Sequence, residues 1–189
     1  YFIMGNDDLK KNVAILEQIK DSNLKFIHKK CEQIHNKKII GYGIVNPTPF
    51  RLKDWEKTED EKTEQPEQMF DHEIRTVEQE QGTIKEDLEE LKQLSDPKNT
   101  IYVMHAPPFD TKLDVITSGT HVGSKTFKKF IETEQPLLTL HGHIHESPSQ
   151  TGSWKDKINK TTSINVGSSY PEIKLNCVII ELDSMEIAY

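Results

Sequence analysis

Leu137-Leu138-Thr139-Leu140-His141-Gly142-His143-Ile144-His145 is an apolar, strand-sized run that stops on a cluster of imidazoles. In an extended chain, positions i and i+2 share a face. His143 and His145 would therefore address one site or, bent around Gly142, two adjacent ions. Imidazole nitrogen is a common ligand for zinc, manganese and iron-type ions. Standing alone, the cluster competes with a plain histidine-rich surface turn.

Two other apolar runs end in the same way. Ile101 to Met104 stops at His105-Ala106-Pro107-Pro108, where the prolines fix the backbone and hold the histidine at a rigid strand end. Tyr1-Phe2-Ile3-Met4 reads as a buried strand that ends in Gly5-Asn6-Asp7-Asp8. Ligands of open α/β sheets bind outside the carboxyl ends of strands. Three strand ends would thus deliver the Asn6 amide and the imidazoles of His105, His143 and His145 to one place.

The rest of the chain supplies an α/β alternation. Asn6 or Asp7 would cap a helix over Asp8 to Lys20, whose Val13, Leu16 and Ile19 form an apolar stripe. Leu24 to Ile34 and Lys38 to Gly43 read as strands joined by a turn at His35-Asn36-Lys37. Residues 51–68 are dense in Glu, Asp and Lys and read as an acidic surface loop or insertion. Helical pattern is expected over Phe70 to Glu80 and Ile84 to Leu94, and Asp96-Pro97 ends it. A helix over Ser124 to Glu134 separates the two histidine-bearing strands. Strands are expected over Thr161 to Val166 and Leu175 to Leu182, with Met185 to Tyr189 pairing back. There is no internal repeat.

Composition narrows the function classes. The 189 residues suit one domain, and a net charge of −7 argues against general nucleic-acid binding, since phosphate backbones demand a positive field. No stretch approaches the ~20 apolar residues of a membrane span. With no basic, apolar leader at the start, a cytoplasmic location is expected. Cys31 and Cys177 form no CxxC pair and read as two buried free thiols, so a cysteine zinc site is not expected. A chain that opens on a core strand suggests that further sequence precedes residue 1.

Taken in order, Gly5-Asn6-x-Asp8, His105-Ala106-Pro107 and Gly142-His143-x-His145 resemble the last three motifs of the calcineurin-like metallophosphoesterase superfamily. Pro107 to Thr111 followed by His121-Val122-Gly123-Ser124 is similar to its small, bacterial-type branch. So is Ile164-Asn165-Val166-Gly167-Ser168, with Val166 where that pattern has proline. The resemblance implies a two-sheet β-sandwich flanked by helices in four layers, of which this chain would be the carboxyl-terminal portion. It implies two divalent ions of the manganese, iron or zinc class, with Asn6, His105 and His143 on one and His145 on the other. Such a pair polarises phosphoryl oxygens and holds a bridging hydroxide for attack on a phosphodiester or phosphomonoester.

The sequence departs from that family in two ways. The Asp-x-His and Gly-Asp-x-x-Asp motifs that open the family are absent from these residues, and with them the carboxylate that bridges the ions. Asp7 stands where the family often has a histidine near the leaving group. Asp7 is the candidate catalytic acid, although a helix amino terminus favours the carboxylate and a capping or supporting role competes. His121 and Ser124 are candidate substrate-binding residues, with helix capping the plainer role for Ser124. The alternative functions are a non-catalytic binding module on the same fold, or a single structural metal held by the histidines alone.

Overall fold

The computed structural model describes residues 1–21, 23–169 and 172–189. Its centre is a six-stranded sheet in the order β1-β2-β3-β4-β6-β5. The strands are β1 (Cys31–Ile34), β2 (Lys37–Tyr42), β3 (Thr100–Met104), β4 (Leu138–His141), β5 (Lys155–Ile158) and β6 (Thr161–Asn165). β2, β3, β4 and β6 run parallel, and β1 and β5 close the two edges antiparallel. All four parallel strands therefore point their carboxyl ends the same way.

Alternation along these strands sends side chains to opposite faces. Ile40, Tyr42, Tyr102 and Met104 pack with Leu88 and Leu91 of α2 (Ile84–Leu91) and with Phe127, Phe130 and Ile131 of α3 (Lys125–Glu134). Ile39, Ile101, Leu138 and Ile164 face the other way. There they meet the small antiparallel sheet of β7 (Ile179–Ile180) and β8 (Ile187–Ala188). Helices, main sheet and small sheet thus stack as the expected α/β, two-sheet sandwich. No helix among the described residues is long and apolar enough to cross a membrane.

The helix expected over Asp8 to Lys20 shrinks to a 3₁₀ turn, Lys10–Asn12, and α1, Val13–Leu16. Neither Asn6 nor Asp7 caps it. The remote carboxylate of Asp54 instead accepts from the Lys10 amide at 2.8 Å. The helix expected over Phe70 to Glu80 does not form. Ile74 exchanges backbone hydrogen bonds with Arg51 and Lys53 in extended conformation. A short helix, α4 (Ser147–Thr151), and the edge strand β5 were not anticipated.

Of the segment read as an acidic surface loop, residues 53–57 are buried, Trp55 completely. Val45 and Trp55 pair through their backbones at 2.8 Å, which inserts the indole into the core. The charges that enter with it are paired. Lys57 lies 2.9 Å from Asp87, which also takes Lys29 at 3.0 Å and the Tyr42 hydroxyl at 2.6 Å. Lys53 meets Glu56 at 3.0 Å. Both cysteines are free, but neither is buried as expected: Cys31 is half-buried and Cys177 is exposed.

Candidate functional site

Residues 1–5 run in extended form beside Phe26 and cross the end of β2. The crossing is close: a Cβ on Gly43 would sit 2.4 Å from the Met4 carbonyl. This brings Gly5 and Asn6 over the carboxyl end of the neighbouring strand, β3. A Cβ on Gly5 would lie 2.4 Å from Nε2 of His105, so only glycine permits the approach. The glycine of the Gly-Asn pair thus serves the histidine of the second motif.

His105 itself is pinned by its amide, which bonds the Tyr42 carbonyl at 3.0 Å, and by its carbonyl, which accepts from Gly142 at 2.9 Å. The 142–145 turn follows β4. His143 adopts a left-handed conformation, φ 65°, and the Ile144 amide closes back on the Gly142 carbonyl at 2.7 Å. Fully buried Asn165, at the end of β6, steadies the turn by donating to the carbonyls of Ile144 (2.9 Å) and Leu113 (3.0 Å). His141 donates Nδ1–H to the Ala106 carbonyl at 2.8 Å and ties the ends of β3 and β4 together.

Two strand ends then meet the extended segment 1–5, which was expected to be a strand but pairs only through a single bridge at Phe2. Asn6 Oδ1 lies 3.0 Å from His105 Nε2 and 2.8 Å from His143 Nδ1, with the two imidazole centroids 5.3 Å apart. Asn6 Nδ2 donates to Asp7 at 2.9 Å, which turns the amide oxygen toward the rings. His145, Asp7 and Asp8 line the same cavity, about 510 Å³ in volume. Burial depresses the pKa of both convergent imidazoles, His105 to about 4 and His143 to about 3. Asp8 and Asp7 oppose the shift at His105, while His105 and His145 deepen it at His143. Both rings are therefore neutral at pH 7, the form in which a histidine can bind a metal.

Donor atoms about 2.1 Å from an ion and at right angles about it lie about 3 Å from each other. The two spacings from Asn6 Oδ1, 3.0 and 2.8 Å, match that figure. A second ion would find His145 from this chain. No three His, Cys, Asp or Glu side chains converge as a metal cluster among the described residues. The convergent set is one amide and two imidazoles.

The remaining candidates separate. Asp7 is exposed and accepts a hydrogen bond from Asn6, the geometry of an orienting residue. His121 lines a larger cleft of about 1250 Å³ that shares His143, Phe50 and Glu146 with the small cavity. Ser124 is wholly buried and unavailable to a substrate. Its hydroxyl caps α3 by accepting from Phe127 at 3.0 Å, and its amide is bonded to Pro107. The start of α3 is occupied as well: Glu59 accepts from Ser124 Oγ at 2.5 Å and from the Thr126 amide at 2.9 Å. Asp114, Glu59, His141 and Asn165 are site-building residues that the sequence reading did not assign. Asn165 followed the same strand-end rule as the histidines and could have been found by it.

The fold has solved counterparts. It superposes on a crystal structure of TT1561 from Thermus thermophilus with a TM-score of 0.59 at 14% identity, covering 98% of this chain and 69% of that one. A second solved structure gives the same TM-score at 16% identity, with this chain spanning 62% of its length. The mixed α/β architecture, a six-stranded sheet with a small second sheet and helices, is the fold of these solved structures. By sequence, the chain is 32% identical over 186 residues to the uncharacterized protein MJ1162 of Methanocaldococcus jannaschii, covering 95% of this chain and 70% of that protein. It belongs to the family of that protein. No protein-family model matches the chain.

Proposed function

We propose that this chain carries half of the metal site of a phosphoesterase that hydrolyses a phosphodiester or phosphomonoester. The observation that supports it is the meeting of Asn6 Oδ1 with His105 Nε2 and His143 Nδ1, from the amino-terminal segment and two strand ends, in a cavity that also holds His145. Asn6, His105 and His143 would hold one ion and His145 a second, with the bridging carboxylate supplied from outside residues 1–189. Bound divalent ions of the manganese, iron or zinc class would stabilise charge on the phosphoryl oxygens and lower the pKa of water. The protein's own part is to keep both imidazoles neutral by burial and to fix their directions through Gly5, Asn165 and His141. Asp7 orients the Asn6 amide. A cytoplasmic setting belongs to the same proposal, because the exposed free thiol of Cys177 suits a reducing compartment.

A second reading is a non-catalytic module. It is favoured by Asp7, which stands where the family often has a histidine near the leaving group and here accepts from Asn6. One experiment separates the two. Full-length protein with manganese should cleave an aryl phosphodiester, and His143→Ala with His145→Ala should abolish both turnover and bound metal. Full activity in the double variant would sink the enzyme reading. Metal-free, inactive wild-type protein would favour the module.

A further inference from the structure

The loop over residues 108–124 is organised around a single buried carboxylate. Asp114 is completely buried. Its Oδ1 accepts from the Thr111 amide at 3.0 Å, and its Oδ2 from the amides of Asp110 at 3.1 Å and Gly123 at 2.9 Å. The shortest contact goes to His121, whose Nδ1 lies 2.7 Å from Oδ1. Giving Nδ1–H to a carboxylate fixes the tautomer and leaves Nε2 to face the other way. His121 lines the larger cleft, which also takes in His143, and Asp110 Oδ1 lies 3.8 Å from Nε2. The Phe109 ring packs on His121 at 6.0 Å, and Lys125 lies 5.2 Å over Phe109.

A phosphoester lying at His143 would extend its leaving group along this cleft. In the small cavity Asp7 is engaged in accepting from Asn6 and Asp8 in accepting from the Gly5 amide, while His145 is assigned to an ion. We propose that His121, held by Asp114, delivers the proton to the leaving oxygen. This rests on the phosphoesterase reading. Hydroxide forms a bond to phosphorus, and the bond to the leaving oxygen breaks with its electron pair going to that oxygen. The proton on Nε2 then neutralises it. His121 is left as the neutral imidazole, still donating Nδ1–H to Asp114, and regains a proton from water. The charged groups around it are Asp114 and Asp110 of its own loop, Lys125 of α3, Glu59 at the start of α3, and Glu146 across the cleft.

The test uses full-length, manganese-loaded protein and two diesters. One releases 4-nitrophenolate, which departs unaided; the other is a dialkyl diester, whose alkoxide needs a proton. His121→Gln should lower kcat on the dialkyl diester by about 100- to 10,000-fold, the usual worth of general acid catalysis, and on the nitrophenyl diester by less than about tenfold. The alkaline limb of the wild-type pH profile on the dialkyl diester should vanish in this variant. Asp114→Asn should follow the same pattern; should it fail to fold, His121→Gln decides alone. Nitrogen-15 imidazole spectra of the metal-free protein should show His121 as the Nδ1–H tautomer. Equal losses on both diesters, an unchanged alkaline limb, or an Nε2–H tautomer would overturn the assignment. Wild-type protein that cleaves neither diester would instead overturn the phosphoesterase reading, and the tautomer would still report on the dyad.

Discussion

Gly5→Ala is the sharpest perturbation of the convergent site, because it adds one methyl group and removes no polar atom. The new Cβ would stand 2.4 Å from Nε2, 2.5 Å from Cε1 and 2.8 Å from Cδ2 of His105. Heavy atoms pack comfortably at about 3.5 Å, so the ring must retreat by about 1 Å. Space exists on its far side, where even a Cβ on Gly142 would clear Nδ1 by 3.6 Å. The fold therefore yields at modest cost, about 1–3 kcal/mol for an overpacked site. The site yields more. A 1 Å retreat stretches the 3.0 Å contact with Asn6 beyond hydrogen-bond range and takes Nε2 off the shared centre. Loss of ligand orientation typically weakens metal binding by about 10- to 100-fold. Urea denaturation of metal-free protein reads the first effect, and calorimetric titration with manganese or zinc the second. Unchanged stability and unchanged metal affinity would refute the packing argument. Lost stability with unchanged affinity would show that His105 is not a ligand.

Other outcomes follow from the buried polar groups. Asp87→Asn removes the nearer of the two carboxylates that face the Lys57 ammonium, 2% exposed, leaving Glu80 at 3.3 Å, and should cost about 1.5–3 kcal/mol in urea denaturation. Glu80→Gln weakens bridges to Lys10, Lys29 and Lys57 at once and, with Glu80 34% exposed, should cost about 1–2 kcal/mol. Ser124→Ala removes the cap of α3 and should cost about 0.5–2 kcal/mol by thermal melting. Acid should weaken the metal-free fold early. Burial lowers the pKa of His28 to about 3 and of His141 to about 4, in His28 aided by Lys29 and in His141 opposed by hydrogen bonds to carbonyls. The unfolded chain therefore takes up protons below about pH 6.5 that the fold refuses, so stability is complete above that value and falls as pH drops toward 4. A flat stability profile between pH 6.5 and 5 would contradict the burial of these rings.

The strands of the main sheet were legible because each parallel strand is a short apolar run closed by turn residues, and β2, β3, β4 and β6 fell where those runs lie. β5 was not legible: as an edge strand of sequence Lys-Asp-Lys-Ile it exposes most of its side chains and carries no apolar signal. Residues 53–57 misled for the opposite reason. Their charges read as solvated, yet Lys57 and Lys53 are buried against Asp87 and Glu56, partners 30 and three residues away. The Lys57–Asp87 pairing is set by tertiary contacts and leaves no local trace. The helix expected over Phe70 to Glu80 lost to the same cause, since Ile74 gains two backbone bonds from residues 51 and 53 in extended form.

The two histidines were legible because strand ends in a parallel sheet share one edge, whereas Asn6 reaches them from an extended segment that is no strand of that sheet. The supporting groups were hidden by distance along the chain. Asp114 reads as one more loop acid until its hydrogen bonds to Asp110, Thr111, His121 and Gly123 are seen. Ser124 looked open to a substrate until Glu59, 65 residues earlier, was found on its hydroxyl. The contrast has a physical root. A ligand must end on the shared edge and so obeys a rule of the fold. A residue that aims a ligand needs only to reach it, and any segment that passes nearby can supply one. Polar residues at strand ends, Asn165 among them, are therefore where a sequence in this family will reveal its chemistry, whereas its acid–base partners have to be read from coordinates.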